Sequence, residues 1–190
     1  MRLFAALLPP QESLDEVDRA LDGHRRSWSD LRWLPPENWH ITLAFYGEVP
    51  ERILPELTAR LARAAARHAP MTLAFAGAGA FPSAHRCRVV WTGLDGGQGV
   101  LPRLAASMAA GGRRAGVPQR DDKRFRPHLS LARSRSGVDA RPLVEALASF
   151  RGTPWPATEV HLMRSHLGPS VRYETIAAWP LGRPLRGEED

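Results

Sequence analysis

Trp39-His40-Ile41-Thr42-Leu43 and Pro127-His128-Leu129-Ser130-Leu131 carry one pattern: histidine, apolar residue, hydroxyl, apolar residue. In an extended chain successive side chains point to opposite faces. His40 and Thr42 therefore share one face of a strand, and Ile41 and Leu43 the other. His128 and Ser130 likewise share a face, with Leu129 and Leu131 behind them. The histidines lie 88 residues apart in a chain of 190, near half its length. That spacing suggests a duplicated unit. If the units pack about a pseudo-twofold axis, two imidazoles and two hydroxyls converge in one cleft.

The flanking segments support strands and helices in alternation. RLFAALL (2–8) is a short apolar strand ending at Pro9-Pro10. Ser13-Leu14-Asp15-Glu16 reads as a capping box opening a helix over about 13–27, with Leu14, Val17 and Leu21 on its apolar face. WHITLAFYG is a strand closed by Gly47. Residues 51–68 form the clearest helix, with Leu57 and Leu61 inward and arginines outward. MTLAFAGAGAF (71–81) and RVVWTGL (88–94) are a strand pair, and 99–115 is a helix ended by Gly111-Gly112 or slightly later. After a charged loop (113–127) come the strand PHLSLAR, a helix over 139–150, and two strands at about 156–167 and 171–181. The frequent hairpins favour an α+β fold with mainly antiparallel sheets and flanking helices. No linker separates independent domains, so residues 1–190 read as one domain of two intertwined lobes with the active cleft between them.

Composition narrows the class of protein. The formal net charge is +6, and of 26 basic residues only Lys123 is a lysine. A basic, arginine-rich surface suits phosphate or nucleic acid, although the many Ala, Pro, Gly and Arg residues also fit codon bias. Cys87 is the single cysteine, which excludes an internal disulfide and a multi-cysteine zinc site. No run approaches a membrane span and the N-terminus lacks a secretory core, so the expectation is a reducing cytoplasm; no interface stripe stands out, so a monomer is the default.

Two imidazoles with ordinary pKa values of about 6.5 can serve as acid and base near neutral pH without any metal. Hydroxyls can hold non-bridging phosphate oxygens, and nearby positive charge stabilises a phosphorane-like transition state. One such motif arises by chance; two copies in strands at half-chain spacing are far more specific.

At this point the chain resembles the 2H phosphoesterase superfamily, and within it the RNA 2′,3′-cyclic phosphodiesterase family, also described as 2′-5′ RNA ligases. RLFAALLPP, ENWHITLAFYGEV, RVVWTGL, FRPHLSLAR and HLMRSHLGPSVRY carry the resemblance over nearly the whole chain. It implies two α+β lobes about a pseudo-twofold axis, no metal or other cofactor, and hydrolysis of a 2′,3′-cyclic phosphate at an RNA end to a 2′-phosphomonoester. The reverse-type reaction would join tRNA halves. By the resemblance His40 is the proton donor, His128 the proton acceptor, and Thr42 and Ser130 hold phosphate oxygens. Ser130 stands where many relatives have threonine.

Arg133 matches a family arginine suited to phosphate, yet strict alternation puts it on the face opposite His128, so a twist or bulge is needed. Phe4 reads either as a platform for a base or as a core aromatic, and Tyr173 either as a family position or as core packing. The basic loop from Arg113 to Arg126 leads into His128 and is expected to border the cleft and help hold an RNA backbone, with Arg126 as its nearest candidate. His161 and His166 make a poor metal pair; His24, His68 and His85 sit at helix ends or turns; Cys87 reads as a packed or surface thiol. Neither G-x-S-x-G nor G-x-x-x-x-G-K-[ST] occurs, which argues against a serine hydrolase and a P-loop enzyme. Two other readings stay open: a nucleotide- or RNA-binding module of the same fold without turnover, and a 2H enzyme for another cyclic or 2′-5′-linked nucleotide.

Overall fold

The computed structural model describes residues 1–118, 124–168 and 170–182. Its strands are β1 (Arg2–Leu7), β2 (Arg32–Trp33), β3 (Ile41–Glu48), β4 (Met71–Phe81), β5 (Cys87–Gly96), β6 (Leu129–Val138), β7 (Trp155–Ala157), β8 (Glu159–His166) and β9 (Arg172–Pro180). Its helices are α1 (Gln11–Arg25), α2 (Leu54–Ala65), α3 (Val100–Arg114) and α4 (Arg141–Leu147). The fold is α+β, and every strand pairing in it is antiparallel.

The strands form one sheet in the order β7-β4-β5-β6-β3-β1-β8-β9, with β2 added beside β6. Leaving β2 aside, four strands lie on each side of the β6–β3 junction. At that junction the ladder among the described residues is a single pair, Ile41 with Leu129. Every other neighbouring pair along the sheet is joined over three or more residues. The two halves therefore meet at one narrow seam between the two histidine motifs.

The apolar sides of both motifs are fully inside: Ile41 and Leu129 are 0% exposed. Each such side chain contributes about 1.5–3 kcal/mol by leaving water. They belong to one continuous core with Leu57 and Leu61 of α2, Leu104 and Met108 of α3, and Leu143 of α4. On the other face a cavity opens, and no residue of α1–α4 lines it. Helices thus pack only on the core side, and strands and loops supply the site.

Several local expectations need correction. The capping box at Ser13 does not form. Pro10 ends the preceding extended segment and its carbonyl accepts from Ser13 N and Leu14 N (3.1 and 3.2 Å), so α1 begins two residues earlier. Ser13 is then buried inside the helix. The carboxylate of Glu16 instead accepts from Thr153 N and Oγ1 (2.7 and 2.6 Å), tying α1 to the segment before β7.

Gly47 does not close β3. It takes φ +65° and lets the strand continue to Glu48. α3 runs past Gly111-Gly112 to Arg114, the later of its two expected ends. Both glycines are buried helical positions, and a Cβ on Gly112 would lie 2.7 Å from Tyr46 Cε1. The glycine is there for close approach between α3 and β3, and Tyr46 completes it by donating to Met108 O (3.1 Å). The segment 51–68 starts with a 3-10 turn at Glu51–Ile53 before α2, because Pro55 fits only the first turn of an α-helix. β2 was not expected from periodicity, being too short at two residues to show any, and the strand expected over about 156–167 divides into β7 and β8.

Candidate active site

The site is built from the seam outward. Continuing the Ile41–Leu129 register sets His40 across from Ser130 and Thr42 across from His128. All four side chains line one cavity of about 860 Å³. The two strands run away from each other beyond this point, so the cavity stays open above the seam.

Both motifs then contain the same irregularity. Along β3, Ala6 pairs with Thr42 but Ala5 with Ala44, leaving Leu43 as an extra residue. Along β6, Trp91 pairs with Ser130 but Val90 with Ala132, leaving Leu131 extra. These are β-bulges at equivalent positions. Consecutive burial of Leu43 and Ala44, and of Leu131 and Ala132, is their signature. Each bulge reverses the alternation that follows it. The fifth residue after each histidine is thereby turned to the cavity: Phe45 in one motif and Arg133 in the other. This is the bulge that Arg133 required.

Each imidazole is held in the same way. His40 Nδ1 lies 2.9 Å from Asn38 O, and His128 Nδ1 lies 2.6 Å from Arg126 O. A carbonyl oxygen only accepts, so Nδ1 carries the hydrogen in both rings. Nε2 is left as the nitrogen that can take up or release a proton. Aromatic rings pack around each imidazole. Phe4 and Tyr173 lie 4.7 and 4.9 Å from His40, and Phe81 lies 4.9 Å from His128, with Trp91 at 6.2 Å.

Burial is the largest influence on both rings, and it pushes both pKa values below the ordinary histidine range. The carbonyls of Asn38 and Arg126 oppose that shift by accepting from the charged form. For His40 the positive fields of His128 and Arg133 lower the value further; for His128 Arg133 does so.

The sequence candidates separate clearly. His40, Thr42, His128, Ser130, Arg133, Phe4 and Tyr173 all border the cavity. Phe4 is only 3% exposed and packs with Ala6, Met163 and Tyr173. Of its two readings this burial fits the packed aromatic, which wedges His40 and offers no open face to a base. The Arg126 side chain does not line the cavity; its backbone carbonyl is what serves the site. Arg113 and Arg114 lie at the end of α3, away from the cavity lining, and residues 119–123 of the basic loop, with Arg120 and Lys123, fall outside the described residues.

Periodicity missed Phe45, because strict alternation assigns it the wrong face. Its position relative to His40, the same as that of Arg133 relative to His128, was the available signal. Phe45 is 43% exposed, with Arg2 Cζ 4.9 Å above its ring. Arg32 and Arg172 also reach the cavity, and Glu37 is the carboxylate in its lining. Among the described residues no three His, Cys, Asp or Glu side chains gather in a metal-binding cluster. Two proton-exchanging imidazoles beside two hydroxyls and a guanidinium suit an anionic group undergoing proton-coupled displacement.

Comparison with known proteins identifies the family. Residues 7–91 match the family described as LigT like Phosphoesterase. The RNA 2′,3′-cyclic phosphodiesterase of Thermus thermophilus is 35% identical over 183 residues, covering 93% of this chain and 87% of that protein. The protein of the same name from Geobacillus stearothermophilus is 35% identical over 94% of this chain, which spans 56% of that relative's length. Escherichia coli LigT in apo form superposes with a TM-score of 0.79 at 26% identity, over 96% of this chain and 98% of that one. The chain belongs to the LigT-like 2H phosphoesterases, a family of phosphodiesterases. No helix among the described residues is long and apolar enough to cross a membrane.

Proposed function

We propose that this protein opens the 2′,3′-cyclic phosphate at an RNA or nucleotide end to a 2′-phosphomonoester, using His40 and His128 as the only acid–base groups. The observation that carries this reading is the matched presentation of the two rings, each with Nδ1–H held by the carbonyl two residues earlier. The names of the relatives supply the substrate class, and a solved structure of E. coli LigT holds 3′-AMP.

In this mechanism water attacks phosphorus from the side of His128, whose Nε2 takes the water's proton. The P–O3′ bond breaks, and His40 Nε2–H protonates the departing O3′. The products are a 2′-phosphomonoester and a free 3′-hydroxyl. Thr42 and Ser130 donate to non-bridging oxygens, and Arg133 offers its planar fork to the same phosphate. Phe45 presents a half-exposed ring, covered on one face by Arg2, on which a base can stack. Run in the same direction with a ribose 5′-hydroxyl in place of water, the same groups would form a 2′-5′ linkage as P–O3′ breaks, so ligation of RNA ends, tRNA halves among them, belongs to this reading as a secondary activity.

The test is incubation in EDTA with each nucleoside 2′,3′-cyclic phosphate and with a cyclic-phosphate-ended RNA, followed by assignment of the product phosphate. A 2′-phosphomonoester formed at an undiminished rate in EDTA is expected. Binding without product would instead support a non-catalytic module, and loss of activity in EDTA would contradict the two-histidine mechanism.

A further inference from the structure

Arg32 and Arg133 stand directly opposite one another across the β2–β6 pair, and both side chains line the cavity. Opposed residues of an antiparallel ladder share a face, with Cα atoms about 4.5–5.5 Å apart, and like charges so placed repel. Neither guanidinium has a hydrogen-bonding or carboxylate partner among the described residues. The lining sets Arg2, Arg32, Arg133 and Arg172 against the single carboxylate of Glu37.

The fold goes to some length to hold Arg32 there. β2 is only two residues long, Arg32–Trp33, and it lies on the edge of β6 beyond the point where β3 has left it. Leu34 N donates to Leu131 O (2.9 Å), so the segment is anchored at the bulge that turns Arg133 to the cavity. The cavity, at about 860 Å³, is near the top of the usual range of small-ligand sites, about 300–1,000 Å³. It has room beyond a reacting phosphate and its ribose. The nearest other anion on such a substrate is the phosphate on the 5′ oxygen of the same nucleotide.

We propose that Arg32 binds this second phosphate, the internucleotide linkage on the 5′ side of the terminal nucleotide, next to the reacting phosphate at Arg133. The proposal rests on the cyclic phosphodiesterase reading above. It makes the protein selective for RNA ends over free nucleoside cyclic phosphates, and it gives the apposed arginines their counter-charge only when such an end is bound.

The experiment compares adenosine 2′,3′-cyclic phosphate with the dinucleotide ApA ending in a 2′,3′-cyclic phosphate, and with the same dinucleotide carrying an uncharged methylphosphonate linkage. In Arg32→Ala, KM for the dinucleotide should rise about tenfold or more beyond any rise for the mononucleotide, the size expected for one charge-assisted contact. Arg32→Lys should recover part of that loss. The dependence of log KM on log salt for the dinucleotide should become shallower by about 0.7, one phosphate contact on a single strand. The methylphosphonate should cost the wild type what it no longer costs Arg32→Ala. Equal losses on mononucleotide and dinucleotide, or no loss on either, overturn the proposal. Failure of the wild type to hydrolyse any of the three substrates overturns the underlying reading instead.

Discussion

Ile41 pairs with Leu129 at the seam between the two halves of the sheet, and each is the residue that follows a motif histidine. The pair sets the separation of the imidazoles through backbone geometry rather than through side-chain contacts. Fully buried apolar side chains on one face hold the backbone from which His40, Thr42, His128 and Ser130 project on the other. Stability and positioning are therefore coupled at a single point in the chain.

Removing either imidazole should cost far more in turnover than in stability. His40→Ala and His128→Ala are each expected to lower kcat for a 2′,3′-cyclic phosphate by about 10²–10⁴-fold, the usual contribution of a positioned acid or base. The double variant should lose little beyond the worse single one, because the two groups act in one step. Single-turnover assays beside urea melts would check this; near wild-type rates in either variant would contradict the assigned roles.

The proposed roles also dictate the pH profile of kcat/KM. As pH rises, His128 loses its proton and becomes a base, and the rate climbs. At higher pH His40 loses the proton it must donate, and the rate falls. Burial lowers both pKa values from the ordinary 6.5, so the optimum of kcat/KM is expected on the acid side of that value. A bound phosphate favours the protonated rings, so the limbs of the kcat profile should move to higher pH. An alkaline optimum for kcat/KM would contradict the assignment.

The same shifts make a stability prediction. A histidine whose pKa is depressed by folding binds fewer protons folded than unfolded. Its contribution is fully present above the unfolded value of 6.5 and is lost as pH falls through that value toward the folded one. Urea midpoints should therefore fall between pH 7.5 and pH 5, and His40→Gln should flatten the fall. An unchanged pH dependence in that variant would show that His40 is not the group responsible.

The duplicated H-x-[ST]-x pattern made the motif strands, their buried faces and the pairing of histidines legible, because period-two alternation is a strong local signal. What it could not show was where alternation breaks. The bulges at Leu43 and Leu131 insert one residue each, and nothing in Leu-Ala distinguishes a bulge from regular strand. Phe45 was missed for that reason, while Arg133 came from resemblance alone. β2 escaped because two residues carry no period, so Arg32 could not be placed. The packing role of glycine was equally hidden: Gly112 lies inside α3 against Tyr46, and the helix runs on to Arg114.

Gly112→Ala tests that last point. The new methyl would meet Tyr46 Cε1 at 2.7 Å, and the ring cannot retreat without losing the bond from its hydroxyl to Met108 O. Overpacking of this kind costs about 1–3 kcal/mol, which at about 2–4 °C per kcal/mol for a domain of this size should lower Tm by several degrees. Gly116→Ala, with no atom near the new Cβ but with φ +86°, separates backbone strain from packing. A neutral Gly112→Ala would mean that α3 can shift away from β3.

Arg133 and Phe45 occupy equivalent steps after their bulges, yet the chemistry assigns them different kinetic signatures. In the proposed mechanism Arg133, which lines the cavity, faces the reacting phosphate, whose charge develops in the transition state. Arg133→Ala should lower kcat by about 10²–10³-fold, as for loss of one preorganised donor. Arg133→Lys should restore little, since a lysine keeps the charge but not the planar two-point grip. In the same mechanism Phe45 stacks on a base that does not change during the reaction, so Phe45→Ala should raise KM and leave kcat nearly intact. Steady-state kinetics on adenosine 2′,3′-cyclic phosphate decide both cases. A kcat defect in Phe45→Ala, or full rescue by Arg133→Lys, would show that the two bulges do not divide binding from catalysis in this way.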